Sequence, residues 1–162
     1  MNPNDILAKA ETLRNNLSSG FRDEIVKSLY SEAETIARWI SPGARVLDLG
    51  CGDGSLLKHL WQTRQAPGYG VEIDDEKAIE CIRNDVNVLQ MDLEDGLAAF
   101  ADRSFDYVIL SQTLQAVRHT ERILKEMLRV GREGIVTFPN FGYWRHRLQH
   151  RFDARDQRRL VV

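Results

Sequence analysis

Metal-ligating side chains are scarce: the 162 residues include two cysteines and four histidines. Cys51 and Cys81 have no ligand spacing around them, and no His/Asp cluster stands elsewhere, so no metal site is expected. No apolar run is long enough to cross a bilayer, which argues against a membrane partner. No basic-then-apolar signal opens the residues given, and a reducing cytoplasm is the expected compartment. Nor is there an excess of positive charge. The net charge is −2, and the six arginines and two aspartates of residues 145–162 leave −6 on the other 144 residues. A nucleic-acid-binding face is usually basic throughout, so no nucleic-acid partner is expected. Internal repeats and low-complexity linkers are also missing. With 43% hydrophobic and 28% charged residues, the composition is that of one soluble globular domain with a real core.

The richest stretch is Val46-Leu47-Asp48-Leu49-Gly50-Cys51-Gly52-Asp53-Gly54. It reads as a buried strand, then a glycine turn, and Leu56, Leu57 and Leu60 continue at helical spacing. Three glycines let the chain turn sharply and let a ligand approach closely. The spacing is G-x-G-x-G, not the G-x-G-x-x-G of dinucleotide sites. Asp48 and Asp53 flank the turn, whereas a phosphate ligand prefers bare amides. Acids beside such a turn suit a cationic ligand with ribose hydroxyls, such as S-adenosylmethionine. A purely structural strand-turn-helix corner remains the alternative.

Strands and helices alternate along the rest of the chain. Helices are expected over 4–17 and 23–40, then over 54–64, 76–84 and 120–130, the last stopped by Gly131. Strands are expected at 46–49, 69–73, 86–90, 105–110 and 134–138. Five short buried strands with helical crossovers predict an α/β fold with a doubly wound, mainly parallel sheet. Glu72 lies at the tip of strand two, where nucleotide-binding α/β folds place an acid that accepts from ribose hydroxyls. Asp92 follows strand three and reads equally as a turn acid or as an acceptor for an adenine amino group, with apolar neighbours flanking the ring. Asp74 and Asp75 read as helix caps. Ser111 and Gln112 lie at the tip of strand four, where open sheets bind ligands. His119 reads as an exposed helix start.

The glycine stretch resembles the first motif of class I S-adenosylmethionine-dependent methyltransferases. Three further stretches resemble the methionine biosynthesis protein MetW family: 68–74, 104–117 with Ser111-Gln112-Thr113-Leu114-Gln115, and 134–142 with Phe138-Pro139-Asn140-Phe141-Gly142. The likeness covers about residues 35–149. It implies a Rossmann-like sheet of order 3-2-1-4-5 with helices on both faces. It divides the chain into N-terminal helices (1–40), a methyltransferase-like domain (41–149) and a basic tail (150–162). It implies S-adenosylmethionine as cofactor and S-adenosylhomocysteine as product. Gly50, Gly52 and Gly54 would hold the methionine part, with Cys51 giving its backbone amide. Asp48 would orient the loop and the cofactor ammonium. Glu72, with Ile73 beside it, would hold the ribose, and Asp92 and Leu93 the adenine. Ser111 and Gln112 would line the methyl-facing side.

The same likeness implies a link to a homoserine O-acyltransferase, while the motifs define no small-molecule acceptor and no catalytic residue. Tyr143 and Trp144 would form an aromatic wall or pack on the sheet. The last strands of the usual methyltransferase sheet are expected to be missing. The arginine-rich residues after Gln149 show no further strand, which predicts either a truncated chain or an exposed strand-five edge for a homodimer or other partner to cover. The readings are thus a small-molecule methyltransferase, a cofactor-binding partner or regulator of the acyltransferase, and, weakened by the glycine spacing and Asp48, a nicotinamide-dependent oxidoreductase.

Overall fold

A run of Val-Leu-Asp-Leu forms β1 (Val46–Leu49), in which all four residues are buried. It can lie at the heart of a sheet because its apolar side chains serve both faces, as parallel strands require. In the computed structural model it does so. The structure describes residues 32–111, 113 and 117–137, and the backbone of Arg159–Val161. A helix spans residues 32–39 (α1). After β1 come α2 (Ser55–Arg64), β2 (Gly68–Glu72), α3 (Asp75–Arg83), β3 (Asn87–Gln90), a 3-10 turn (Leu93–Asp95), β4 (Phe105–Ser111), α4 (Thr120–Val130), β5 (Gly131–Thr137) and β6 (Arg159–Val161). The strand order is β3-β2-β1-β4-β5-β6, and every pairing is parallel. The helix expected over 4–17 and the first half of the one expected over 23–40 fall outside the described residues, as do Gln112, Tyr143 and Trp144.

Two cores flank the sheet. On one face Val46, Ile109 and Ile135 pack with Leu57 and Leu60 of α2, Cys81 of α3, and Ile36 and Ile40. On the other, Leu47, Leu49, Val71 and Val108 pack with Ile123, Met127 and Val130 of α4. These residues lie in the compact unit that begins at Ile36.

Four features depart from the sequence expectation. A sixth strand exists: Arg159–Val161 pairs with Glu133–Ile135, so the chain itself covers part of the β5 edge expected to be left for a homodimer or other partner. Three residues behind a run of arginines give too short a pattern to announce a strand. Second, β3 is a sheet edge and not a buried strand, with Leu89 40% exposed. Third, α4 runs straight into β5. Gly131 ends the helix as expected, in an extended conformation (φ −98°), but it also begins β5, three residues before the expected start. Glycine is required by packing, because a Cβ there would lie 2.6 Å from Val108 Cγ2.

Fourth, the β3–β4 crossover contains no α-helix. Arg129 holds this segment instead: Nη2 donates to Leu97 O (3.0 Å), and Nη1 to Phe100 O (3.0 Å) and Asp102 Oδ1 (2.7 Å). Glu126 accepts from the same guanidinium at 2.9 and 2.7 Å. Arg129→Met should therefore cost about 2 kcal/mol in denaturant unfolding, since two loop carbonyls lose a charged donor. Arg129→Lys should recover little of it, because an ammonium cannot reproduce the planar fork.

Candidate functional site

The carboxyl ends of β1, β2 and β4 meet around the glycine turn. Gly50, Gly52 and Gly54 have φ of 72°, 59° and 77°, the left-handed region that side chains rarely adopt. Gly50 and Cys51 N–H both donate to Val71 O, at 2.8 and 3.0 Å, which stitches the turn to β2. Gly54 precedes α2 with no side-chain cap, and Asp53 Oδ1 accepts from Ser55 N–H (3.0 Å).

Glu72 is the anchor. It is only 6% exposed. Its Oε2 accepts from Gly52 N–H at 2.9 Å, while Oε1 accepts from Ile73 N–H (2.9 Å) and Asp74 N–H (3.0 Å). A carboxylate has about four acceptor positions, and three of them on Glu72 serve to clamp the turn. Asp48 lies behind the turn, 2% exposed. The Cys51 side chain faces Cys81 of α3 (Sγ–Sγ 3.7 Å). Burial, with the charges of Asp48 and Glu72 adding to it, pushes both thiols above their ordinary value.

A cleft of about 700 Å³ opens beside the turn, within the size range of small-molecule sites. Its lining brings together Gly50, Glu72, Ile73, Asp92 and Leu93 from the sequence reading. Asp92 also caps the 3-10 turn, accepting from Glu94 N–H at 2.8 Å. Ser111 is not on this lining, and its hydroxyl accepts from Thr137 Oγ1 at 3.1 Å. Thr113 lines the cleft there, along with Asp74, Lys77, Met91, Val117, Arg118 and His119, which the sequence reading did not assign to the site. Only their places after strand ends hinted at a role. A larger hollow of about 910 Å³ lies between the loop 95–98 and α4, and its lining includes none of Gly50, Gly52 and Gly54.

Glu94 closes one end of the cleft. Its Oε2 meets His119 Nδ1 at 2.6 Å, and Oε1 accepts from the Arg118 amide. His119 precedes α4 and is 70% exposed, as its sequence position suggested. The His119 hydrogen bond first, and then the Arg118 amide, hold the Glu94 carboxyl below its ordinary value of 4.5. A lowered folded pKa stabilises the fold above the unfolded value, and that contribution is lost as pH falls through the folded one. NMR titration should place the Glu94 midpoint below 4.5, and His119→Ala should move it upward. Among the described residues, no group of His, Cys, Asp and Glu is arranged to hold a metal ion, and no helix is long and apolar enough to cross a membrane.

The model of the methionine biosynthesis protein MetW family matches residues 31–157. The chain belongs to the MetW family. It is 44% identical over 124 residues to a bifunctional methionine biosynthesis protein MetXA/MetW of Rhodopirellula baltica, covering 72% of this chain and 20% of that protein. It is 28% identical over 142 residues to a juvenile hormone acid O-methyltransferase of Bombyx mori, covering 83% of this chain and 48% of that protein. This MetW-family chain therefore spans a fifth and about half of the lengths of these two curated relatives. Among solved structures, it resembles a TehB-like SAM-dependent methyltransferase from Corynebacterium glutamicum (TM-score 0.59, 21% identity, 80% of this chain and 68% of that one). It also resembles a SAM-dependent methyltransferase from Archaeoglobus fulgidus (TM-score 0.58, 21% identity, 65% and 48%). Those likenesses establish the class I methyltransferase-like fold. Family membership associates the chain with methionine biosynthesis.

Proposed function

We propose that the cleft binds S-adenosylmethionine and that the chain transfers a methyl group to a small molecule, releasing S-adenosylhomocysteine. The observation that carries this reading is the left-handed glycine turn clamped by Glu72 at the wall of the cleft. The donor set suits the ligand. Glu72, Asp74, Asp92 and Glu94 make the rim predominantly acidic, with Lys77 and Arg118 also on the lining. Such a rim repels phosphate and favours a sulfonium, an ammonium and ribose hydroxyls. Glu72 would accept from a ribose hydroxyl through its remaining position. Asp92 would accept from the adenine amino group beside Leu93 and Met91. The turn would receive the methionine part, with Asp48 acting from behind it.

When bound, the cofactor supplies a methyl group on a positively charged sulfur with a neutral thioether as leaving group. The chain's contribution to such a displacement is chiefly alignment of the reactants. An acceptor that is already a nucleophile requires no base, and no residue is assigned as one. The Bombyx relative is a juvenile hormone acid O-methyltransferase, and that likeness supports a small-molecule acceptor here. One observation favours a second reading: in the Rhodopirellula relative, MetXA and MetW share a chain. In that reading the chain binds the same cofactor and serves as partner or regulator of a homoserine O-acyltransferase. A labelled-methyl assay on a metabolite panel, run beside copurification with the acyltransferase, separates the two. Cofactor-dependent labelling supports transfer. Stable association together with saturable binding and no labelling moves the function to the second reading.

A further inference from the structure

The glycine turn contains a feature that ligand binding does not use. Cys51 Sγ and Cys81 Sγ stand 3.7 Å apart, one in the turn and one on α3. Cys81 Sγ also donates to Gly52 O at 3.0 Å, so α3 is tied to the turn through this thiol. The pocket is shaped around the pair, because a Cβ on Gly70 would lie 2.3 Å from Cys51 Sγ and 2.9 Å from Cys51 Cβ. Both cysteines are reduced.

We propose that Cys51 and Cys81 form an oxidisable dithiol and that its disulfide reshapes the glycine turn. The oxidant class is a small peroxide, because Cys51 is 7% exposed and Cys81 fully buried, which excludes bulky disulfides. The Cys51 sulfur attacks one peroxide oxygen. The O–O bond breaks, leaving a sulfenic acid on Cys51 and releasing one water. Cys81 then attacks that sulfur, the S–O bond breaks, and a second water leaves with the disulfide. Two thiols are oxidised by two electrons and the peroxide is reduced to two waters. Bond formation draws the sulfurs from 3.7 Å to about 2.05 Å. It also removes the thiol proton that Cys81 gives to Gly52 O. Burial keeps thiolate scarce at neutral pH, so the reaction is slow there and quickens as pH rises.

The test treats the full reduced chain with hydrogen peroxide and, separately, with oxidised glutathione. Intact mass, peptide mapping and amide hydrogen exchange across residues 50–54 are followed. Peroxide alone should yield a linked Cys51–Cys81 peptide, the loss of two hydrogens in mass, and reversal by dithiothreitol. Exchange in the turn should change, and S-adenosylmethionine affinity should fall about tenfold, the equivalent of about 1.4 kcal/mol. Cys81→Ala should give a one-oxygen adduct on Cys51 instead. Independent overoxidation of both sulfurs, or a disulfide that leaves exchange in the turn unchanged, overturns the proposal. The affinity arm rests on the cofactor reading above. If the reduced chain binds no S-adenosylmethionine, that reading fails, while mass and exchange still decide the dithiol.

Discussion

Replacing Glu72 with alanine should lower the thermal midpoint by roughly 6–12 °C and weaken S-adenosylmethionine binding about a hundredfold. The stability loss follows from the three backbone amides that Glu72 accepts while nearly fully buried. Removing a charged acceptor from buried donors costs about 1–3 kcal/mol or more, and about 3 kcal/mol is reasonable for three amides at the rim of the core. For a domain of this size, each kcal/mol moves the midpoint by roughly 2–4 °C. The affinity loss combines a missing hydroxyl acceptor with a turn that is no longer held. Glu72→Gln keeps the shape and one acceptor oxygen but points an NH₂ group at a backbone N–H. It should fall between wild type and Glu72→Ala in both circular-dichroism melting and calorimetric titration. A Glu72→Ala chain that melts like wild type would remove the clamp from the account.

The second large effect is expected at Gly50. Its φ of 72° already disfavours any Cβ, by about 1–2 kcal/mol. A Cβ would also lie 2.5 Å from Thr113 Cγ2 and Oγ1. Crowding of that kind costs about 1–3 kcal/mol, so Gly50→Ala should lose about 3 kcal/mol in urea unfolding. Gly52 provides the contrast, with φ of 59° but nothing within 4 Å of a Cβ. Gly52→Ala should lose only about 1 kcal/mol. Thr113→Ala in the Gly50→Ala background should return about 1 kcal/mol, visible as coupling in a double-mutant cycle. Equal losses at Gly50 and Gly52 would show that Thr113 does not press on the turn.

Those two residues also mark how far the sequence could be read. The glycine turn was legible because three glycines at fixed spacing between a buried run and a helical pattern have few other uses. Strand-helix alternation pointed to a doubly wound parallel sheet; its five-strand order came from the family likeness alone, and the structure has it. The position of Glu72 was legible from its place at a strand tip, but its clamping role was not. That role depends on the register that pairs Leu49 with Val71 and brings the Gly52 amide onto the Glu72 carboxylate. Thr113 was hidden because an isolated threonine after a strand carries no pattern. Its contact with Gly50 spans 63 positions of sequence. Arg129 was hidden for the same reason, as its loop partners lie about 30 residues earlier. β6 was hidden by its brevity, and β3 by a short apolar run that looks alike at an edge or a centre.

The most direct test is a calorimetric titration of S-adenosylmethionine and S-adenosylhomocysteine into the folded full chain, with NADH and Glu72→Ala as controls. Saturable one-site binding of both sulfur compounds, weakened about a hundredfold by Glu72→Ala and not matched by NADH, is the predicted result. No heat from either sulfur compound with a chain that melts cooperatively, or tighter binding of NADH, would contradict the assignment of the cleft.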